Sequence, residues 1–232
     1  MSPNEISLLS NTSLFGGLES DDLVACAHAF REKHLDKDQT LFLRGDPGTH
    51  LYLVEAGRIR LAISSVKGRR LSFQLATEGD LFGEIAALDG KPRTADATAI
   101  TKAKVLCLER GLFTDLCAAR PALAAGVVTF LCRRIRQMTT QFESVALEPL
   151  HVRLARFILS ALGSHTESPG RRIPLELGFS QSELSQLLGA SRPKVNAAMA
   201  SLEKAGAMTR TLDRLFCDPR KLARIAQSGD DA

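Results

Sequence analysis

The spacing of apolar residues divides the chain into regions of different period. Between about Asp36 and Leu108, turn signals recur every ten or so residues: Gly45-Asp46-Pro47-Gly48, Gly57, Lys67-Gly68, Glu78-Gly79-Asp80 and Asp89-Gly90. They separate the short segments Leu51–Val54, Ile59–Ile63, Leu71–Leu75 and Val105–Leu108. Short strands at that spacing predict antiparallel sheets closed into a sandwich, roll or barrel. Ahead of them, Asp21–Phe30 reads as a helix with Ser20 as its N-cap. After Pro121 the period lengthens. Val128, Leu131, Ile135, Met138, Phe142 and Val145 are separated by 3, 4, 3, 4 and 3 residues, an a/d heptad stripe with Arg133, Arg134, Arg136 and Gln141 outside it. A stripe this narrow suits a helix that pairs with a second copy of itself; one amphipathic helix packed on its own domain is the alternative. Pro149 marks the end or a kink of that helix, His151–Leu162 resumes a helical pattern, and Gly163–Gly170 is a loop.

Composition narrows the classes. At 232 residues, with 24% charged and 44% hydrophobic positions, the chain is globular, neither disordered nor collagen-like, and holds one large domain or two modest ones. Aromatics are only 5%, with no Trp and one Tyr, which argues against an aromatic platform for single-stranded nucleic acid. The longest weakly interrupted apolar run, Ala122–Cys132, carries Gly126 and Thr129 and falls well short of the ~18 residues that span a bilayer. The N-terminus has neither the basic nor the apolar region of a secretory signal, so the chain reads as soluble and cytoplasmic, with no membrane partner. Five scattered cysteines without a C-x-x-C pair argue against a disulfide framework, a zinc site or an iron–sulfur cluster, and predict small buried apolar residues. The net charge is +4: 18 basic and 17 acidic residues up to Leu147, then 12 and 9, a mild basic bias in the last 85 residues.

Two stretches carry chemistry. In Ser180–Gly206, Ser180 and Glu183 form a capping box opening a short helix, Gly189 supplies a turn, and Ser191 caps a second helix stopped at Lys204-Ala205-Gly206. A second helix that opens with Arg192 and Lys194 has the layout of a helix-turn-helix, whose N-terminal residues reach base edges. Ala207–Phe216 reads as a hairpin and Asp218-Pro219 as the start of a last helix, a winged arrangement. The alternative is an ordinary helical hairpin with solvated charges.

In Asp80–Ala99, Gly83 permits a tight strand-to-helix transition, and amides opening the segment Glu84–Leu88 favour an anion. Across the Gly90–Pro92 turn, Arg93 offers a guanidinium fork to a phosphate, while Glu84 accepts from a ribose hydroxyl. Phe82-Gly83-Glu84-Ile85-Ala86 followed by Pro92-Arg93-Thr94-Ala95 resembles the phosphate-binding cassette of cyclic-nucleotide-binding domains. With the heptad helix and the helix-turn-helix, the chain from about Leu14 to Ile225 resembles the catabolite activator (CRP/FNR) family of bacterial transcription regulators.

The resemblance implies an α+β fold: a β-roll sensor over residues 1–119, a dimerisation helix over 120–147 and a winged helix-turn-helix over 148–232. It implies a homodimer acting on palindromic double-stranded DNA with RNA polymerase as partner, no catalysis, no cofactor, and a 3′,5′-cyclic nucleotide as effector. Gly83, Ile85, Ala86, Arg93 and Thr94 would hold the cyclic phosphate, and Glu84 the ribose. The base would meet Met138 and Thr139 on the long helix, or Thr140 if the register shifts by one. Those slots hold adjacent hydroxyl residues in cyclic-AMP receptors, so base contacts differ here. Ser182, Ser191, Arg192, Lys194 and Asn196 would meet DNA. Pro193 and Ala197 replace polar residues of the family's recognition helix, so the operator differs too. Thr94, whose hydroxyl can also reach the amino group of a syn guanine, implies that cyclic GMP competes with cyclic AMP, the expected activator. A regulator of the same family that senses redox state or another effector is the rival reading. His28, His34, His50, His151 and His165 read as solvated or structural, and nothing in the sequence resembles a nucleophile–base pair or a Walker loop.

Overall fold

The computed structural model describes residues 3–64, 70–163, 172–175, 184–185, 187–211 and 214–227. These fall into two compact units, Met1–Gln137 and Met138–Ala232, with the division inside the long helix.

Among the described residues the first unit is built on eight strands: β1 (Arg31–Leu35), β2 (Thr40–Phe42), β3 (His50–Ala56), β4 (Ile59–Ser64), β5 (Arg70–Ala76), β6 (Leu81–Phe82), β7 (Asp96–Ala99) and β8 (Ala103–Glu109). They form two antiparallel four-stranded sheets, ordered β1-β8-β3-β6 and β2-β7-β4-β5. Two of the short segments are continuous core. Leu51-Tyr52-Leu53-Val54 on β3 and Val105-Leu106-Cys107-Leu108 on β8 are buried throughout. Their strands are covered on both faces, which removes the polar half of the period. Tyr52, Val54, Val105 and Cys107 face the second sheet, joining Ile59, Leu61, Phe82 and Ala97 in the roll interior. Leu51, Leu53, Leu106 and Leu108 face a layer of helices.

That layer holds α1 (Pro3–Ser10), α2 (Ser20–Ala29), α4 (Arg110–Ala119) and the start of α5 (Pro121–Leu147); α3 (Glu84–Asp89) follows β6. The sequence pattern gave no sign of α1. In α2, Ser20 is the first helical residue and Glu19 the N-cap, with no side-chain cap bond, so the expected cap is displaced by one residue. Helix α5 carries two apolar faces. Leu123, Val127 and Phe130 are buried on the core of the first unit, whereas Val128, Ile135, Met138, Phe142 and Val145 are exposed, Phe142 at 76%. Leu131, expected in the outer stripe, is half-buried against that core.

In the second unit α6 (Leu150–Leu162) begins just past Pro149, the N-cap. Helix α7 (Arg192–Lys204) buries Val195, Ala198, Met199 and Leu202, and α8 (Pro219–Gln227) buries Leu222 and Ala226. The expected hairpin is β10 (Met208–Arg210) paired with β11 (Leu215–Cys217); a third strand, β9 (Ile173–Leu175), completes the sheet in the order β10-β11-β9. Asp218 accepts from the amides of Arg220 and Lys221 and so caps α8. The Lys67-Gly68 turn, most of the 163–170 loop and the Ser180–Glu183 capping box lie outside the described residues.

Candidate functional site

The turn from β6 into α3 has Gly83 at its centre, with φ +75°, a left-handed conformation that glycine adopts without strain. A side chain there would meet the Arg93 guanidinium at 2.8 Å and the Tyr52 ring at 3.1 Å. Opposite, the backbone of Arg93 is pinned to the Gly45–Asp46 turn: its N–H donates to the Asp46 carbonyl (2.8 Å) and its carbonyl accepts from Gly45 N–H (2.9 Å).

The Arg93 side chain is 4% exposed. Its Nη1 donates to the Gly83 carbonyl (2.8 Å) and its Nη2 to the His50 carbonyl (2.7 Å). The guanidinium lies over the Phe42 ring, 4.3 Å from its centroid, and 5.4 Å from that of Tyr52. Its Nε, also buried, has no hydrogen-bond partner, and among the described residues Arg93 forms no ion pair. Burial pulls its pKa below the ordinary arginine value, but a guanidinium stays charged at any physiological pH. A buried cation without a carboxylate is costly, and an incoming anion relieves that cost.

Glu84 is 8% exposed. Burial pushes its carboxyl above the usual range, with Arg134 pulling the other way. Arg134 reaches over from α5: Nη2 donates to the Leu81 carbonyl (2.6 Å) and Nε stands 3.8 Å from a Glu84 oxygen. Arg134 was read as lying merely outside the heptad. Its role shows in a second spacing, Leu123, Val127, Phe130, Arg134, which continues the buried face of α5 and ends on a charge. Phe42 and the His50 carbonyl were missed as well.

The structure thus brings Gly83, Glu84, Ala86, Arg93 and Thr94 together in the first unit, with Ile85 and Thr94 exposed at its surface. Met138, Thr139 and Thr140 belong to the second unit and are exposed. At the start of α7, Ser191, Arg192, Lys194 and Asn196 are all exposed, with Pro193 in the first turn. Ser191 holds the N-cap position, but its hydroxyl makes no cap bond. Ser182 lies outside the described residues. The thiols of Cys26, Cys107 and Cys217 are buried and pushed up to about 11, so they stay protonated and inert at neutral pH; Cys132, expected to be buried, is exposed. Among the described residues no His/Cys/Asp/Glu group is placed to hold a metal, and no single helix is long and apolar enough to cross a membrane.

Residues 32–120 match the family model of the cyclic nucleotide-binding domain, and residues 152–225 that of the Crp-like helix-turn-helix domain. The chain is 26% identical over 221 residues to the CRP-like cAMP-activated global transcriptional regulator of Mycobacterium tuberculosis, spanning 95% of this chain and 99% of that protein. The crystal structure of Thermus thermophilus catabolite activator protein is 26% identical, with a TM-score of 0.54 over 94% of this chain and 99% of that one. FixK2 from Bradyrhizobium japonicum, at 19% identity and a TM-score of 0.69 over 84% of this chain and 96% of that one, shares the fold.

The Glu84 shift has a thermodynamic consequence. A folded-state pKa above the unfolded value makes the ionised carboxylate a burden on the empty protein. The burden is absent below about pH 4, where both states are protonated, and grows as pH rises through the folded value. Glu84→Gln is therefore expected to raise the melting temperature of the ligand-free protein at pH 7. In calorimetric scans from pH 8 down to pH 4 the gap should close; a lower melting temperature at pH 7 would mean that the Arg134 attraction outweighs burial.

Proposed function

This chain belongs to the Crp-like family of transcription regulators, with a cyclic nucleotide-binding domain followed by a helix-turn-helix domain, and on that premise we propose that a 3′,5′-cyclic mononucleotide switches its binding to DNA. The observation that carries the reading is the buried, ion-pair-free guanidinium of Arg93 with an unsatisfied Nε. A cyclic phosphodiester is a singly charged anion, the charge that one such cation balances. Arg93, with the backbone of Gly83, Ile85 and Ala86 and the Thr94 hydroxyl, would hold the phosphate. Glu84 would accept from the ribose 2′-hydroxyl, a neutral donor that can satisfy a carboxylate which burial disfavours. The base would meet Met138 and Thr139, or Thr140. Cyclic AMP is the activator we favour, with cyclic GMP able to compete; relatives such as the M. tuberculosis regulator carry cyclic AMP in their names.

Assembly follows from α5. Five large apolar side chains exposed along one stripe of a helix whose other face is already buried call for a partner surface, and a parallel copy of the same helix supplies it. The resulting homodimer would present two α7 helices to half-sites about one helical turn apart in a palindromic operator. RNA polymerase is the expected protein partner and the cytoplasm the expected compartment.

Calorimetric titration of the full chain with a panel of cyclic mono- and dinucleotides tests the effector. Cyclic AMP is expected to bind, and Arg93→Ala to weaken it at least about tenfold, the worth of a charge-assisted hydrogen bond, with the fold retained. Binding of a cyclic dinucleotide alone, or unchanged affinity in the variant, would overturn the reading. For assembly, Ile135→Glu places like charges in the seam and should give monomers in sedimentation; a persistent dimer would put the interface elsewhere.

At the DNA, Arg192 is expected to read a guanine and Lys194 a phosphate. Selection on random duplexes should show Arg192→Ala losing preference at one position per half-site, worth about 1–3 kcal/mol. Lys194→Ala should weaken all sequences alike and lower the salt slope. The reverse pattern would exchange the two roles.

A further inference from the structure

Beside the Arg93 guanidinium lies a cluster of three aromatic rings. Phe42 lies 5.7 Å from Tyr52 at 29°, Tyr52 lies 5.3 Å from Phe82 at 18°, and Phe42 lies 6.3 Å from Phe82 at 32°. Three strands from both sheets, β2, β3 and β6, contribute one ring each. Phe42 is the outermost, half-buried, and nearest the cation. It sits where the β2–β7 register shifts between Thr40 and Phe42, the kind of irregularity that re-aims a side chain next to a functional site. The chain beyond Phe42 is held by the Arg44 amide, which donates to Asp96 at 2.9 Å, so the ring sits on a braced backbone.

We propose that Phe42 is a positioning residue for ligand binding: its ring, backed by Tyr52 and Phe82, fixes the plane of the Arg93 guanidinium before the anion arrives. The proposal rests on the cyclic-nucleotide reading of the site. Two carbonyls occupy one N–H each of Nη1 and Nη2, and Tyr52 adds a side-chain hydrogen bond. Guanidinium hydrogen bonds lie in its plane and leave its faces open to motion out of that plane. The Phe42 ring covers one face and contributes a cation–π attraction. A carboxylate in that place would compete with the phosphate; an aromatic face does not. The ligand then meets a guanidinium whose rotamer freedom is already spent, so less entropy is lost on binding.

The test is a double-mutant cycle with cyclic AMP as titrant, folding being checked by thermal melts. Phe42→Leu keeps an apolar side chain but removes the π face, and is expected to weaken binding about tenfold. Phe42→Tyr should restore affinity to within about threefold. In an Arg93→Ala background Phe42→Leu should cost nothing further, because the ring acts through the guanidinium. An equal loss in both backgrounds, or no loss in the native one, would overturn the proposal. A second measurement needs no ligand. The Arg93 Nε–H resonance, assigned by its disappearance in Arg93→Ala, should be ring-current-shifted and slow to exchange, and Phe42→Leu should abolish both properties. If no cyclic nucleotide binds the native protein, the effector reading fails while this resonance still decides the role of Phe42; an unshifted signal in the native protein overturns it.

Discussion

A positive charge buried with no ion-pair partner among the described residues governs the architecture around the cassette. Desolvating a guanidinium costs several kcal/mol unless its donors and charge are answered. At Arg93 the answers come from parts of the chain that are distant in sequence. The Gly83 carbonyl turns onto Nη1 because its residue is left-handed, the His50 carbonyl comes from the first residue of β3, and the Phe42 ring comes from β2. The sheets must therefore close before the charge is accommodated, and the Nε–H is left without a hydrogen-bond partner. Folding the roll and preparing the anion site are in this sense one event.

Arg134 is the second cation of the region and is treated differently. It stacks near Phe130, 5.4 Å from the ring, holds the Leu81 carbonyl and faces Glu84. Because β6 and α3 carry Leu81 and Glu84 on either side of Gly83, this one side chain ties α5 to the strand–helix junction of the cassette. A neighbouring face of α5 shows the exposed stripe. A single helix thus carries sensor core, cassette contact and candidate dimer surface on different faces, which explains why its sequence shows two interleaved apolar periods.

What the sequence made legible was local. The cassette lies within the twelve residues Gly83–Thr94, and its glycine, acid and arginine need no knowledge of the fold to be picked out. Helix α7, its Gly206 stop and the Asp218 cap were legible for the same reason. Strands β3 and β8 could be located, but not their burial on both faces, because a continuous apolar run is silent about what covers it. Strand β2 is three residues long, and β9 has Pro174 at its centre, pairing with Phe216 in a strand too short to show a period. The partners that give the site its character, Phe42 and Arg134, stand 51 and 41 residues from Arg93 and reach it only through tertiary structure. Glu84 was read as a ribose acceptor, yet its burial and raised pKa follow from packing that no spacing reveals.

The magnitude available at this junction bears on how switching works. Carrying a two-state protein from about 1:99 to 99:1 takes a differential of ~5.5 kcal/mol between the states. A charge-assisted hydrogen bond supplies about 1.5–3 kcal/mol, and only the part that differs between the states counts. If the ligand's hold on Glu84 and its displacement of the Arg134 contact are the state-dependent part, one site falls short of a full switch. Two identical sites acting on one pair of α5 helices roughly reach it. A graded response to the first ligand and a decisive one to the second is then the expected behaviour of the proposed dimer. Tight binding through the phosphate alone, which on the proposed reading Arg93 would offer in the same way to any cyclic nucleotide, would saturate the protein without moving it.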